Sequence, residues 1–108
     1  MCIFCKIVDK EIPNKTVLED EKFLAFEDIN PQAKIHVLII PKQHIDSFEQ
    51  VSPELMAEMT SFIQKVAKVL DVDSSGYRLI TNIGENGGQE VPHLHFHILA
   101  GEKLGALV

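Results

Sequence analysis

Residues 52–70 read SPELMAEMTSFIQKVAKVL, and they predict one long helix. Ser52 is a good N-cap. Pro53 suits the first helical position, where its missing N–H would have no partner, and Glu54 places an acid in the first turn. From that start Leu55, Met59, Phe62, Ile63, Val66 and Leu70 recur at three- and four-residue steps. One apolar stripe therefore runs along about four and a half turns and has to pack against a core.

The chain on either side of this helix reads as strand. Upstream, Lys15 to Phe26 predicts two short strands around the acidic turn Glu19-Asp20-Glu21-Lys22, which is a hairpin. Asp28-Ile29-Asn30-Pro31 is a turn, and His36-Val37-Leu38-Ile39-Ile40 is an apolar run ended by Pro41, as expected of a central, buried strand. Downstream, Asp73-Ser74-Ser75-Gly76 is a turn and Tyr77 to Asn82 a strand. The segment from Ile83 to Glu90 is longer than a hairpin turn needs, which marks it as a functional loop. His93 to Ala100 closes the sheet. Strands, one long central helix, then strands give an α+β fold with a mainly antiparallel sheet, read as a single domain over residues 1–108.

Composition narrows the function. Among 108 residues, 45% are hydrophobic and 24% charged, as in an ordinary globular protein. The formal charge of -6, with only ten scattered Lys and Arg, argues against a nucleic-acid binder, whereas a small nucleotide can be held by backbone N–H groups and a few side chains. No stretch approaches the roughly 20 apolar residues of a membrane span, and the first residues lack the form of a signal peptide; a cytoplasmic protein is expected. Cys2 and Cys5 form a C-x-x-C pair. A redox motif of that spacing opens a helix after a strand, and the position of this pair at the amino terminus disfavours that reading.

Within the closing strand the run is His93-Leu94-His95-Phe96-His97. Side chains alternate across a strand, so the three histidines share one face while Leu94, Phe96 and Ile98 face the core. A single metal held by all three is disfavoured, because a rise of about 3.3 Å per residue separates the outer Cα atoms by roughly 13 Å. Their roles are therefore divided. Neutral imidazole is a phosphorus nucleophile, and a ring nitrogen that donates to a backbone carbonyl leaves the other as a lone pair aimed at a substrate. His95, flanked on both sides, is the natural nucleophile.

These residues resemble the histidine-triad (HIT) nucleotide hydrolases and transferases, whose hallmark is H-x-H-x-H followed by two apolar positions, here His93 to Leu99. The resemblance extends over Cys2 to Ile7, Ala25 to Ala33, His36 to His44 and Asn86-Gly87-Gly88-Gln89. It is similar to the Hint branch of small homodimeric nucleotide-binding proteins, many of them purine nucleoside phosphoramidases. The uridylyltransferase branch, with glutamine at the third triad position, is disfavoured by His97. The resemblance implies that His95 forms a nucleotidyl-histidine, with His97 and His36 beside the phosphate and no catalytic metal. It implies that Asp28 holds the ribose hydroxyls, although an Asp before a turn can also cap its own backbone. Ile3, Phe4, Ile7, Phe26 and Ile29 would wall the base pocket, or serve as plain core. Asn82 would contact the phosphate, and Gly88 and Gln89 would shape the phosphate loop. One position departs from the best-known Hint pattern: Glu90 stands where a serine often touches the phosphate. Either that anion faces away or phosphate contact is weaker.

The family also implies a use for the cysteines, since some bacterial-type members pair this C-x-x-C with two histidines around a structural zinc. The candidate ligands are Cys2, Cys5, His44 and His93, a closed tetrahedral set. The implied function is hydrolysis of an adenosine or guanosine 5'-phosphoramidate by a homodimer. Cleavage of dinucleoside polyphosphates, as in the Fhit branch, is the nearest alternative. A nucleotide- or partner-binding module with incidental turnover, and a zinc-scaffolded interaction protein, are the alternatives from other classes.

Overall fold

The computed structural model describes residues 1–108. Its elements run α1 (Ile3–Val8), β1 (Thr16–Glu19), β2 (Phe23–Glu27), β3 (Ile35–Pro41), a 3-10 turn at Phe48–Gln50, α2 (Pro53–Val69), β4 (Arg78–Ile80) and β5 (Phe96–Ala100). The five strands form one antiparallel sheet in the order β1-β2-β3-β5-β4, and α2 makes the long connection between β3 and β4. This is the expected α+β architecture with one main helix.

The predicted start of α2 is the observed one: the Ser52 side chain accepts from the Leu55 N–H at 3.0 Å, and Pro53 is the first helical residue. The apolar stripe buries Met59, Phe62, Ile63 and Val66 against one face of the sheet. Alternation along the strands supplies the other side of that core, with Ala25 from β2, Val37 and Ile39 from β3, and Phe96, Ile98 and Ala100 from β5. The opposite face carries a second, smaller core of Leu24, Phe26, Leu38 and Ile40, covered by Phe4 and Ile7 of α1. Because β3 is buried on both faces, its sequence is a continuous apolar run rather than an alternating one.

Two strand bounds need correction, and one element was not foreseen. The unforeseen element is α1: Cys2 caps it and Cys5 lies within it, and no strand precedes it. Six residues are too few for a helical period to show in sequence. β5 begins at Phe96 rather than His93, because the His93 N–H turns back onto the Val91 carbonyl at 2.8 Å and the Leu94 N–H goes to the Ile45 carbonyl at 2.6 Å, outside the ladder. β4 is trimmed to Arg78–Ile80. No helix is long and apolar enough to cross a membrane.

Candidate active site and metal centre

The three triad histidines occupy three environments. His97 is on β5, on the sheet face opposite α2, and it pairs with Leu38 of β3 and Ile80 of β4. His95 lies just before the strand, and its carbonyl accepts from the Thr81 hydroxyl at 2.8 Å. His93 is fully buried, 0% exposed, at the bend. Strand spacing argued against all three meeting at one ion, and the three rings face different partners: His93 turns to the cysteines and His97 to His36.

His95 Nδ1 lies 2.8 Å from the His93 carbonyl oxygen. A carbonyl only accepts, so Nδ1 carries the proton and Nε2 is left with its lone pair. No buried side-chain nitrogen or oxygen lacks a partner, and Nε2 makes no hydrogen bond, so that lone pair reaches the open cleft. The cleft has a volume of about 340 Å³, and its lining includes Asp28, His36, Asn82, Gly88, His95 and His97. Below His95, Phe4 stands edge-on, ring centroids 5.1 Å apart at 80°.

His36 Nε2 is 2.8 Å from His97 Nδ1, and His36 Nδ1 accepts the Gln32 backbone N–H at 3.0 Å. Burial lowers both imidazoles below their ordinary range. His97 is pulled down to about 4 by burial first and then by His95 and His36, with Asp28 pulling the other way. Asp28 does two things at once: Oδ1 accepts the Asn30 N–H at 2.8 Å, the local cap foreseen in the sequence, and Oδ2 stands 3.4 Å from His36 Nε2 on the cleft side.

The predicted pocket wall is split. Phe4, Ile7 and Phe26 lie in the smaller core. Ile3 and Ile29 are 51% and 91% exposed. Gln89 points away from the cleft and staples its loop: its carbonyl oxygen accepts the Gly84 N–H at 2.9 Å, and its amide donates to the carbonyls of Asp46 and Val91 at 2.6 and 3.1 Å. Gly88 sits at φ +81°, a left-handed conformation that favours glycine. Sequence reasoning passed over Gly87, where a Cβ would collide with the Ile83 carbonyl. Its doublet with Gly88 was the available signal. Glu90 borders the cleft with an exposed side chain, so it does not face away.

The second cluster joins three distant segments. Cys2 Sγ is 3.3 Å from Cys5 Sγ, and the two thiols stand 3.2–3.6 Å from His44 Nδ1 and His93 Nδ1. A tetrahedral zinc, with Zn–S about 2.3 Å and Zn–N about 2.0 Å, spaces its ligand atoms by about 3.4–3.8 Å, so the four donors fit with shifts of a few tenths of an ångström. Both imidazoles are set for the purpose. His93 Nε2–H donates to the Pro41 carbonyl at 2.8 Å and His44 Nε2–H to Asp46 Oδ1 at 3.0 Å, leaving both Nδ1 lone pairs turned to the thiols. Burial depresses His93, while the Asp46 carboxylate raises His44. Burial opposes ionisation of both thiols; hydrogen bonds from Cys5 nevertheless bring Cys2 below its ordinary range, and Cys5 is raised.

Residues 9–104 match the HIT domain family. An uncharacterised HIT-like protein of Helicobacter pylori is 57% identical over 103 residues, 95% of this chain and 99% of that protein. Protein HitA of Neisseria gonorrhoeae is 46% identical over 101 residues, 91% of this chain and 94% of that protein. Among solved structures, a histidine triad protein from Clostridium difficile superposes with a TM-score of 0.92 at 46% identity, covering 99% of this chain and 96% of that one. A HIT family hydrolase from Legionella pneumophila gives 0.92 at 44% identity, covering 97% and 96%. With the triad, the cleft and these relatives in agreement, the chain belongs to the HIT domain family.

Proposed function

We propose that the protein hydrolyses purine nucleoside 5'-phosphoramidates through a nucleotidyl intermediate on His95. The observation that carries this reading is the bond from His95 Nδ1–H to the His93 carbonyl, which fixes the tautomer and turns the Nε2 lone pair to a cleft bordered by His97, Asp28 and Gly88. Nε2 attacks the α-phosphorus, the amine departs, and water cleaves the phosphorus–nitrogen bond to His95. His97, His36 and Asn82 attend the phosphoryl group, Gly88 and Gln89 hold the loop, and Asp28 Oδ2 accepts from the ribose. Phe4, Ile7 and Phe26, with Ile3 and Ile29 at the margin, give the base an apolar support. Rate enhancement comes from positioning and from donors around the phosphoryl oxygens.

The test is to mix protein with adenosine 5'-phosphoramidate, quench, and look by mass spectrometry for an adenylyl group on His95 alongside turnover. Absence of both, in a protein that still binds AMP, would replace the enzyme by a nucleotide-binding module.

Zinc at Cys2, Cys5, His44 and His93 is part of the same proposal. A closed four-ligand site supplies cohesion rather than chemistry, tying α1 to the bend that carries the triad. A homodimer rests on the family and a cytoplasmic setting on the sequence reading; sedimentation velocity at micromolar concentration tests the first, and a monomer there would refute it.

A further inference from the structure

Two of the four donors at the metal centre are also a dithiol. Cys2 and Cys5 are the only cysteines in the chain, both are free and half-buried, and their sulfurs stand 3.3 Å apart. A disulfide bond is about 2.05 Å long, so the sulfurs have only about 1.2 Å to close. His44, beside both of them, is exposed, which gives a small oxidant a way in. No strand leads into α1, so the pair lacks the strand-to-helix setting of a disulfide-exchange centre.

We propose that Cys2 and Cys5 are a peroxide-sensitive site, whose oxidation to an internal disulfide expels the metal and slackens the bend that aims His95. One thiolate sulfur attacks an oxygen of hydrogen peroxide. The O–O bond breaks, the sulfur becomes a sulfenic acid, and hydroxide departs. The second thiolate attacks that sulfur, the S–S bond forms, and a second hydroxide leaves. Two electrons have passed from the thiolates to the peroxide, and two solvent protons turn both hydroxides into water. What remains for the ion is two neutral imidazoles. Both thiolate charges are gone, and with them half of a set that holds a structural zinc by being complete. The ring closed by a C-x-x-C disulfide is short, so the bond adds little stability and a thiol reductant reopens it.

Oxidation reaches the cleft through His93. Its Nε2–H is committed to the Pro41 carbonyl at 2.8 Å, so Nδ1 is an acceptor, and it faces the sulfurs of Cys2 and Cys5 at 3.3 and 3.6 Å. A metal ion or a thiol S–H satisfies that lone pair, whereas a disulfide has no proton to give. The ring is fully buried, out of reach of bulk water, and an unpartnered buried acceptor is costly. Relief comes from a shift of the ring, which carries with it the backbone carbonyl that holds His95 Nδ1–H at 2.8 Å. Phe4, between the cysteines in sequence and edge-on to both His93 and His95, transmits the same displacement. The coupling rests on the nucleotidyl-His95 reading and the metal release on the zinc proposal, while the disulfide rests on neither.

The test treats zinc-loaded protein with a small molar excess of hydrogen peroxide. A metal-binding dye is expected to report release of the zinc, and peptide mass spectrometry a Cys2–Cys5 bond, lighter by two hydrogens. Zinc retained in the disulfide form, or cysteines found as sulfinic acid or joined between chains, overturns the site. A thiol reductant followed by zinc is expected to restore the starting state, and a loss that persists overturns the switch, as does an oxidised chain that circular dichroism finds unfolded. The oxidised chain is expected to form the His95 adduct about tenfold more slowly, the effect of disturbing an outer hydrogen-bond partner, with a displaced His93 signal in nitrogen-15 NMR. An unchanged rate with an unmoved ring overturns the coupling while the disulfide stands. Absence of the adduct in the reduced protein overturns the His95 reading beneath it, and a reduced chain that takes up no zinc overturns the metal centre. In Cys5→Ser, which offers Cys2 no partner sulfur, peroxide is expected to leave the adduct rate of that variant unchanged; slowing as large as in the wild type overturns the assignment to this pair.

Discussion

Phe4 meets His95 edge-to-face, with centroids 5.1 Å apart, while also standing 5.8 Å from both His93 and Phe26. It is one of the two residues between Cys2 and Cys5, so the same side chain that fills the smaller core also spans the metal centre and the proposed nucleophile. Phe4→Ala is expected to cost about 3 kcal/mol, the size of a large-to-small change in a buried site. Phe4→Leu should recover most of that stability but lose the aromatic contact, worth about 1 kcal/mol. Urea midpoints give the stability and quenched-flow mass spectrometry the adduct rate. A Phe4→Leu protein with an unchanged adduct rate would show that the ring is structural only.

Removal of the metal should loosen the amino terminus. A ligand present at a hundredfold excess over its Kd stabilises by about 2.7 kcal/mol, which in a domain of this size is about 10 °C in Tm. Cys2→Ala is expected to abolish stoichiometric zinc and lower Tm by that order. Metal content by mass spectrometry and calorimetry are the checks, and wild-type protein purified without zinc, yet unmoved by added zinc, would refute the centre.

Asp46 holds His44 through its side chain and the Gln89 amide through its carbonyl. Asp46→Asn keeps the backbone bond and removes the charge, so zinc affinity should fall by about tenfold or more, with the loop unaltered. A chelator competition assay reads the first. A loss of AMP binding matching the loss of zinc would show that the two functions of Asp46 are not separable.

Acid should destabilise the fold by a definite route. An unfolded histidine takes a proton as pH falls through about 6.5, whereas folded His97 resists until about 4. Between those values the unfolded chain binds more protons, so stability is complete above pH 6.5 and is lost as pH falls toward 4, by on the order of 3 kcal/mol. His36, also lowered by burial, acts in the same sense. Urea midpoints of the metal-free chain at pH 7.5, 6 and 5 should decline; a constant midpoint would contradict the assignment.

Gly87→Ala pushes a Cβ into the Ile83 carbonyl, and backbone on both sides has to give. The loop is exposed, so stability should change by less than about 1 kcal/mol, while kcat/KM falls at least tenfold as the loop leaves the cleft. Paired measurements of midpoint and kcat/KM test this, and a fully active variant would remove the loop from catalysis.

Much of this was legible in the sequence, for reasons that differ by element. α2 announced itself because its cap, proline and seventeen-residue stripe repeat one message, and β3 because burial on both faces leaves an unbroken apolar run. The triad spacing indicated separate surroundings for the three imidazoles, and their rings do face different partners. What stayed hidden depended on contacts between distant residues. Nothing local shows that Pro41 would receive the His93 ring, that Gln32 would cap His36, or that Gln89 would reach Asp46 rather than the cleft. α1 was missed because Phe4 and Ile7 make a single turn of pattern. Whether Phe26 is wall or core could not be read, because both demand an apolar side chain there.

β5 is hydrogen-bonded to β3 on one side and β4 on the other, and the chain just before it is tied at the His95 carbonyl by Thr81. Amides in such a strand exchange with solvent chiefly when the whole molecule opens, not by local fraying. The proposed nucleophile thus stands beside the last segment to come apart. Warming should leave the site in working order until the cooperative transition itself, with no earlier phase in which a folded chain has lost its chemistry.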